Sequence, residues 1–412
     1  MEFIADFHIH SKYSRATSRN MDIKHLAEWA KLKGITLMGT GDFTHHLWLE
    51  ELKHNLEDLG NGLFKYQDTH FILTSEISSI YSKRGKCYRI HNIIISPSFK
   101  TVDKINDKLG RVGNLASDGR PILGLDAAEL ARIVFDIDEN CMIVPGHIWT
   151  PWFSLFGSMS GFDKIEDCFE DQTSKIFALE TGLSSDPAMN WRLSALDKFT
   201  LISNSDSHSP QKIGREANVF DCELDYLTIR EVLKTKDKKR FLYTIEFFPE
   251  EGKYHYDGHR LCGTRMSPKE TKANNGKCPK CGKPVTVGVV NRIEALANRP
   301  EGFTPDNAIP FKSLIPLEEI IADARGVGKA SLAVERDYRS ILAKFGTEFE
   351  VLLKASKADL LKGLPPKIAD GVLRVREGRV SIKAGYDGEY GIISIFGDEN
   401  KPREGEKQLS LF

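Results

Sequence analysis

The sequence predicts an α/β fold: a ring of helix-covered β-strands, then a small metal-binding module, then a helical region. Three observations carry this. From residue 1 to about 248, short and nearly continuous apolar runs alternate with helix-like segments, as in a parallel sheet covered by helices. Six to eight such units favour a barrel. Metal-ligand residues recur in or at the C-terminal ends of those runs, and beyond residue 248 the alternation gives way to paired Cys and His and then to helical periodicity.

The first run, Phe3-Ile4-Ala5-Asp6-Phe7-His8-Ile9-His10, organises the rest. Side chains alternate faces along a strand, so His8 and His10 share one face and can present two imidazoles to one site. A helix follows, with Asn20 or Asp22 available as its N-cap, Leu26, Trp29, Ala30 and Leu32 as its apolar face, and Gly34 as its stop. Later runs bring Asp42, Glu76, His91, His147, Glu180, and Asp206 with His208 to equivalent places. In a (β/α) barrel those strand ends form one face, where active sites are built. Buried histidines and carboxylates are costly unless paired or metal-bound, so the set as a whole points to a shared divalent-metal site. Imidazole suits zinc and mixed carboxylate sites admit manganese or magnesium, so zinc, manganese and magnesium all stay open.

After His147, the segment Ile148-Trp149-Thr150-Pro151-Trp152-Phe153 sets three aromatics beside that site, where a base could stack. Trp149, Trp152 and Phe153 are therefore candidate substrate contacts, with Glu180 and, opening the next helix, Trp191 and Arg192. Plain packing is the competing reading for each.

His259-Arg260-Leu261-Cys262 and Cys278-Pro279-Lys280-Cys281 are two ligand pairs, each with two intervening residues and fifteen residues between the pairs. This is the spacing of a structural zinc site, His259, Cys262, Cys278 and Cys281, with His255 the alternative histidine. The other cysteines, Cys87, Cys141, Cys168 and Cys222, read as reduced core residues. From residue 291 the pattern is helical. Ala324-Arg325-Gly326-Val327-Gly328-Lys329 resembles the hairpin of helix-hairpin-helix modules, whose amides bind phosphate. A P-loop fits poorly there, because Asp323 and Ala330 stand where it needs Gly and Ser or Thr. Lys367, Arg374, Arg376, Arg379 and Lys383 form the most basic local run, a second possible backbone contact, ahead of a predicted β-hairpin ending near residue 397.

In 412 residues, 57 Lys and Arg balance 58 Asp and Glu, so any phosphate-binding surface must be local. No apolar run reaches membrane length and no signal-like segment opens the chain, so a cytoplasmic protein without membrane contact is expected.

The ordered motifs HIH, GTGD, an isolated Glu and His on strands, PGH and SDSH resemble the polymerase-and-histidinol-phosphatase (PHP) domain. That resemblance implies a distorted (β/α)7 barrel holding up to three divalent metals and hydrolysing phosphoesters. It departs from the family in having Phe43 after Asp42, where many members have His, which makes His45 a possible substitute ligand. The segments GTGDFTHHLW, GHIWTPWFSLFGSMSGFDKIEDCF, LETGLSSDPAMNWR and SNSDSHSPQKIGREANVF, with the zinc-finger-like segment after them, are similar to the endonuclease Q family. This implies a DNA-repair endonuclease that cuts on the 5′ side of uracil, hypoxanthine, xanthine and abasic sites, with His8, His10, Asp42, Glu76, His91, His147, Asp206 and His208 as catalytic metal ligands. A phosphatase for a small monoester and a non-catalytic DNA- or clamp-binding scaffold are the alternatives. The final Gln408-Leu409-Ser410-Leu411-Phe412 resembles the peptide with which bacterial repair proteins dock on the sliding clamp, Gln408 hydrogen-bonding and Leu409, Leu411 and Phe412 apolar. The expected organisation is a barrel over 1–248, a zinc module over 249–290, a helical region ending in a hairpin over 291–397 and a flexible tail over 398–412. A monomer is expected.

Overall fold

The computed structural model describes residues 1–397; the expected clamp peptide lies outside the described residues. β1 (Glu2–Asp6) pairs in parallel with β2 (Leu37–Gly39), and β2 in parallel with β5 (Thr69–Lys83), β3 (Glu57–Asp58) and β4 (Phe64–Tyr66) forming a short antiparallel flap on β5. β5 and β6 (Lys86–Ser96) are antiparallel from Leu73↔Ser96 to Lys83↔Lys86. β7 (Ile122–Leu123) adds in parallel to β5, β8 (Met142–Pro145) pairs antiparallel with β6, and β9 (Ala178–Glu180) and β10 (Thr200–Ile202) are a parallel pair. The ring closes without continuous ladders: Ile148 N–H donates to Glu180 O (3.1 Å), and Ile9 bridges Ser207 in parallel with His10 N–H on Ser207 O (2.9 Å). β1, β2, β5, β6, β8, β9 and β10 thus make the distorted seven-stranded barrel that the motifs implied. β11 (Ala217–Asp221) and β12 (Phe241–Glu246) extend the sheet antiparallel from β1.

One expectation is corrected. The sheet is mixed, because β5 and β6 are joined by the two-residue turn Arg84-Gly85, both at positive φ (50° and 79°), and so short a turn can only return the chain antiparallel. That hairpin also carries Cys87 out to an exposed position, whereas Cys141, Cys168 and Cys222 are buried as expected.

Helices α1 (Ile23–Lys33), α2 (His46–Asn55), α3 (Phe99–Leu109), α4 (Ala127–Ile137), α5 (Ile165–Phe169), α6 (Pro187–Asn190) and α7 (Tyr226–Thr235) belong to the barrel segment. Asp22 caps α1 by accepting from His25 N–H (3.0 Å), and Ile23, Leu26, Ala27 and Ala30 turn inward. Gly34 ends it at φ 90°, where a β-carbon would strike Thr347. β13 (Asp257–His259), β14 (Thr264–Met266) and α8 (Pro268–Ala273) frame the Cys/His segment; α9 (Val289–Leu296) follows, and β15 (Phe311–Ser313) joins β12 in parallel. α10 (Leu317–Arg325), α11 (Leu332–Phe345), α12 (Lys357–Gly363) and α13 (Pro366–Arg376) pack together, and β16 (Ser381–Lys383) pairs with β17 (Ile392–Ser394). The barrel is tied to these helices by buried Lys33, whose Nζ lies 2.7 Å from Glu348; Glu348 also accepts from Tyr338 Oη (2.6 Å) and Leu317 N–H (3.0 Å). Within the basic run, Arg376 is turned inward and donates to the carbonyls of Val351, Leu352 and Ala355, so it closes the turn before α12 instead of facing solvent. Among the described residues no helix is long and apolar enough to cross a membrane.

Candidate metal centre

β1 ends at Asp6, and His8 and His10 lie just past it on the irregular segment bridged to Ser207, fully buried. Glu76 projects from the middle of β5. His91 on β6 faces Ser78, two residues along from Glu76, so the pleat puts Glu76 and His91 diagonally on one face. His147 leaves β8 after Gly146 at φ 29°, and Asp206 follows β10 at φ 46°.

These side chains converge. His8, His10, Glu76 and Asp206 bring one donor atom each within 4.8 Å of one another, and so do Glu76, His91 and His147. Glu76 joins the two groups: its Oε1 lies 2.6 Å from His91 Nδ1 and 3.1 Å from His147 Nε2, and its Oε2 lies 3.2 Å from His10 Nε2 and 3.5 Å from His8 Nε2. Asp206 Oδ1 lies 3.1 Å from His10 Nε2 and 3.7 Å from His8 Nε2.

Glu180 and Asp42 stand one layer behind. Glu180 Oε1 is 3.0 Å from His8 Nδ1 and accepts from Asn204 Nδ2 (2.9 Å), while its Oε2 accepts from His147 N–H (2.7 Å). Asp42 Oδ1 is 3.1 Å from His10 Nδ1, and its Oδ2 accepts from Ser11 N–H, Ser11 Oγ and Ser14 Oγ (2.6, 2.7 and 2.9 Å). A carboxylate on the far nitrogen keeps the proton on Nδ1 and aims the Nε2 lone pair inward, the arrangement that orients metal-binding imidazoles. Asp42 and Glu180 therefore hold His10 and His8 and sit outside both donor groups.

This donor set fits divalent cations. His8 Nε2 is buried, has no hydrogen-bond partner, and its lone pair meets two carboxylates, an arrangement that a cation between them resolves. Without a cation the charges compensate within the cluster. Burial opposes charging His8, but Glu180, Glu76 and Asp206 outweigh it and hold its pKa well above the usual imidazole value. His10 is raised likewise against burial, chiefly by Asp42. Burial disfavours the Glu76 carboxylate, yet His91, Arg120 and His8 hold its pKa well below the ordinary range. His91 is pushed down to about 4 by its burial, despite the Glu76 carboxylate beside it.

The remaining expected residues divide. His208, about a third exposed, lies tilted against the His10 ring (4.5 Å) with Nδ1 on the Asp206 carbonyl (3.0 Å), outside the two donor groups. His45 stacks between Tyr13 and His46 and does not join them. Phe153 lies against the His91 ring (4.9 Å). Trp152 meets Tyr254 edge-on (5.4 Å) and, with Thr150, lines a small cleft of about 160 Å³. Trp149 differs from the expectation: it is fully buried, donates to Asn190 Oδ1 (2.7 Å) and packs on Phe156, so it presents no face to a substrate. Trp191 and Arg192 follow α6 instead of opening it; Trp191 packs on Phe311 and Arg192 pairs with Glu294 (2.5 Å). Sequence reading missed Arg120, which donates to Glu76 Oε2 (3.1 Å); only its tertiary position distinguishes it from other loop arginines.

The second donor set is His259, Cys262, Cys278 and Cys281, all within 4.8 Å. His259 Nδ1 lies 3.6 Å from Cys281 Sγ, the separation of about 3.6 Å that ordinary tetrahedral Zn–N and Zn–S bonds impose. His255 lies outside this set, buried with Nδ1 unpartnered.

Comparison with known proteins agrees with this architecture. Residues 316–379 match the family model of the MJ0043 C-terminal domain. An uncharacterized protein MJ0043 of Methanocaldococcus jannaschii is 35% identical over 272 residues, 63% of this chain and 33% of that protein, so the chain spans about a third of that relative. The crystal structure of the lesion-specific endonuclease PfuEndoQ from Pyrococcus furiosus superposes with a TM-score of 0.86 at 33% identity, covering 96% of this chain and 95% of that one. A crystal structure of endonuclease Q with a 27-mer duplex bearing an abasic lesion at its active site superposes with a TM-score of 0.85 at 33% identity, covering 97% and 98%.

Proposed function

The chain belongs to the endonuclease Q family, and we propose that it is a repair nuclease which cuts the phosphodiester on the 5′ side of uracil, hypoxanthine, xanthine and abasic sites in DNA. Coarsely, it is a metal-dependent endodeoxyribonuclease of DNA repair. The single observation that carries the reading is Glu76, one buried carboxylate shared between two donor groups at the barrel's active-site face.

In the proposed reaction a water oxygen bonds to phosphorus as the P–O3′ bond breaks, leaving a 3′-hydroxyl and a 5′-phosphate on the lesion side. Divalent ions held by His8, His10, Glu76, His91, His147 and Asp206 would supply a nucleophile at neutral pH and neutralise charge on the phosphate. Zinc, manganese and magnesium remain the candidates for the barrel, and zinc for the Cys/His module. The chain's own contribution is orientation. Glu180 fixes His8 and, through its bond to His147 N–H, the backbone of a second ligand; Asp42, itself held by Ser11 and Ser14, fixes His10. Asp206 is about a quarter exposed, whereas Glu76 is sealed, so a phosphate approaches from the Asp206 and His208 side. Phe153 and Trp152, on the loop that follows His147, are the aromatic faces available to the displaced nucleotide. The exposed Arg325-to-Lys329 turn between α10 and α11 is a proposed backbone contact, and Gln408, Leu409, Leu411 and Phe412 a proposed docking peptide for a bacterial sliding clamp.

The test is strand nicking, with added divalent metal, of labelled duplexes identical except for one uracil, hypoxanthine, abasic site or normal base, beside a chromogenic phosphate monoester. Cleavage immediately 5′ of the lesion with the normal duplex intact is expected. Monoester hydrolysis without nicking would move the chain to the phosphatase reading.

A further inference from the structure

One cationic side chain reaches the cluster, and the metal chemistry just described does not use it. Among the described residues, Arg120 is the one Lys or Arg whose side chain pairs with a carboxylate of either donor group, Nη1 lying 3.1 Å from Glu76 Oε2. Its place is built. Gly119 packs so closely that a β-carbon there would strike Asp42 and Ser14, and its N–H donates to Tyr13 O (3.1 Å). On the other side, Pro121 O accepts from Ser78 N–H (3.0 Å) and Ile122 pairs in register with Ser78, two residues from Glu76. Arg120 is thereby pinned between the strand that carries Glu76 and the loop that carries Asp42.

A guanidinium has five N–H donors in a planar fork, and the Arg120 side chain gives one of them to Glu76. The side chain is 29% exposed, whereas Glu76 is closed from solvent, so the fork spans from the sealed interior to the open side from which a phosphate approaches. A merely structural counter-ion for Glu76 has no need of that reach, since four imidazoles already surround the carboxylate. Guanidinium is also the side chain whose geometry matches two phosphate oxygens at once.

We infer that Arg120 is a catalytic residue of the proposed reaction: its guanidinium holds a non-bridging oxygen of the scissile phosphate and stabilises the charge that grows there as P–O3′ breaks. This rests on the nuclease reading above. Removing one such preorganised donor typically costs about 10²–10³-fold in rate.

The test has two arms on the full chain. First, binding to an abasic-site duplex is measured on the metal-loaded protein by stopped flow, before nicking, with the scissile linkage either a phosphate or a neutral methylphosphonate. Wild type discriminates against the methylphosphonate, and Arg120→Ala loses the discrimination. Second, single-turnover nicking by Arg120→Ala falls about 10²–10³-fold at unchanged metal midpoint, and Arg120→Lys recovers part of it. The inference is overturned if Arg120→Ala keeps the discrimination, or if its loss of nicking is restored by excess metal, which would make Arg120 a support for Glu76 alone. If Arg120→Ala does not fold, the comparison is made with Arg120→Lys, and undiminished discrimination and rate in that variant overturn the role given to the guanidinium. Absence of nicking by wild type would instead refute the nuclease reading, with which this inference falls.

Discussion

Replacing Glu180 by Gln removes a charge without changing shape, and the hydrogen bonds around the carboxylate set the consequence. Glu180 accepts on both oxygens: Asn204 Nδ2 and His8 Nδ1 on Oε1, and His147 N–H on Oε2. A glutamine amide has one acceptor and one donor. With its NH₂ at the first position it confronts the Asn204 amide, and the His8 ring can satisfy it only by moving its proton to Nε2, where it blocks ligation. With its NH₂ at the second position it confronts His147 N–H. Every orientation leaves a buried donor unsatisfied or a ligand in the wrong tautomer, a penalty of about 1–3 kcal/mol. Loss of such an orienting partner typically lowers metal affinity about 10–100-fold, which is about 1.4–2.8 kcal/mol and agrees with that range. Glu180→Gln is therefore expected to shift the metal midpoint of nicking upward by one to two decades, on the order of that typical loss, with the rate at saturating metal largely recovered. Metal content in competition with a chelator checks the shift directly. An unchanged midpoint with a lowered saturating rate would refute the orienting role and place Glu180 in the chemistry itself.

Three further outcomes are expected. Glu246, buried among the hydroxyls of Thr244, Ser203 and Thr181, has its carboxyl pushed up to about 8, by burial first and with Asp186 adding to it. Because the folded chain holds that proton more tightly than the unfolded one, the contribution is present in full below the unfolded carboxyl range and is lost as pH rises through about 8. Glu246→Gln should gain stability relative to wild type between pH 5 and 8 in urea titrations; a pH-independent difference would count against this. Cys281→Ser should lose about one equivalent of zinc per chain and loosen the β13–β14 module, read by metal analysis and limited proteolysis; undiminished zinc would remove Cys281 from the site. Deleting Gln408 to Phe412 should abolish association with a bacterial sliding clamp and leave nicking of a short duplex unchanged, so intact clamp binding would refute the docking peptide.

Much of this was legible because barrel strands advertise themselves: an apolar run ending in His8-Ile9-His10, or in Ser205-Asp206-Ser207-His208, states both the strand and where its polar end goes. The mixed sheet was less visible, since Arg84-Gly85 interrupts a polar stretch in which strand direction leaves no mark. The division of labour among carboxylates was not legible at all. Asp42, Glu76, Glu180 and Asp206 all stand in or at the ends of apolar runs, and only the registers and returning loops show that Glu76 and Asp206 enter the donor groups while Asp42 and Glu180 stand behind histidines. The same holds for aromatics. Trp149 and Trp152 are three residues apart, yet one fills the core and the other lines a cleft, because backbone turns that composition does not encode decide which way each points. Arg120 lies outside every motif, and its place follows from the pairing of β7 with β5.

The central claim, that the buried His/Glu/Asp cluster performs the cut, is tested most directly by pairing nicking with binding for Asp206→Ala on an abasic-site duplex. Asp206 touches both His8 and His10 yet is the most exposed member of its donor group, so its loss should remove chemistry without unfolding the barrel. Abolished nicking with lesion-duplex affinity retained is the predicted result. Nicking that persists at the wild-type rate in Asp206→Ala would contradict the account.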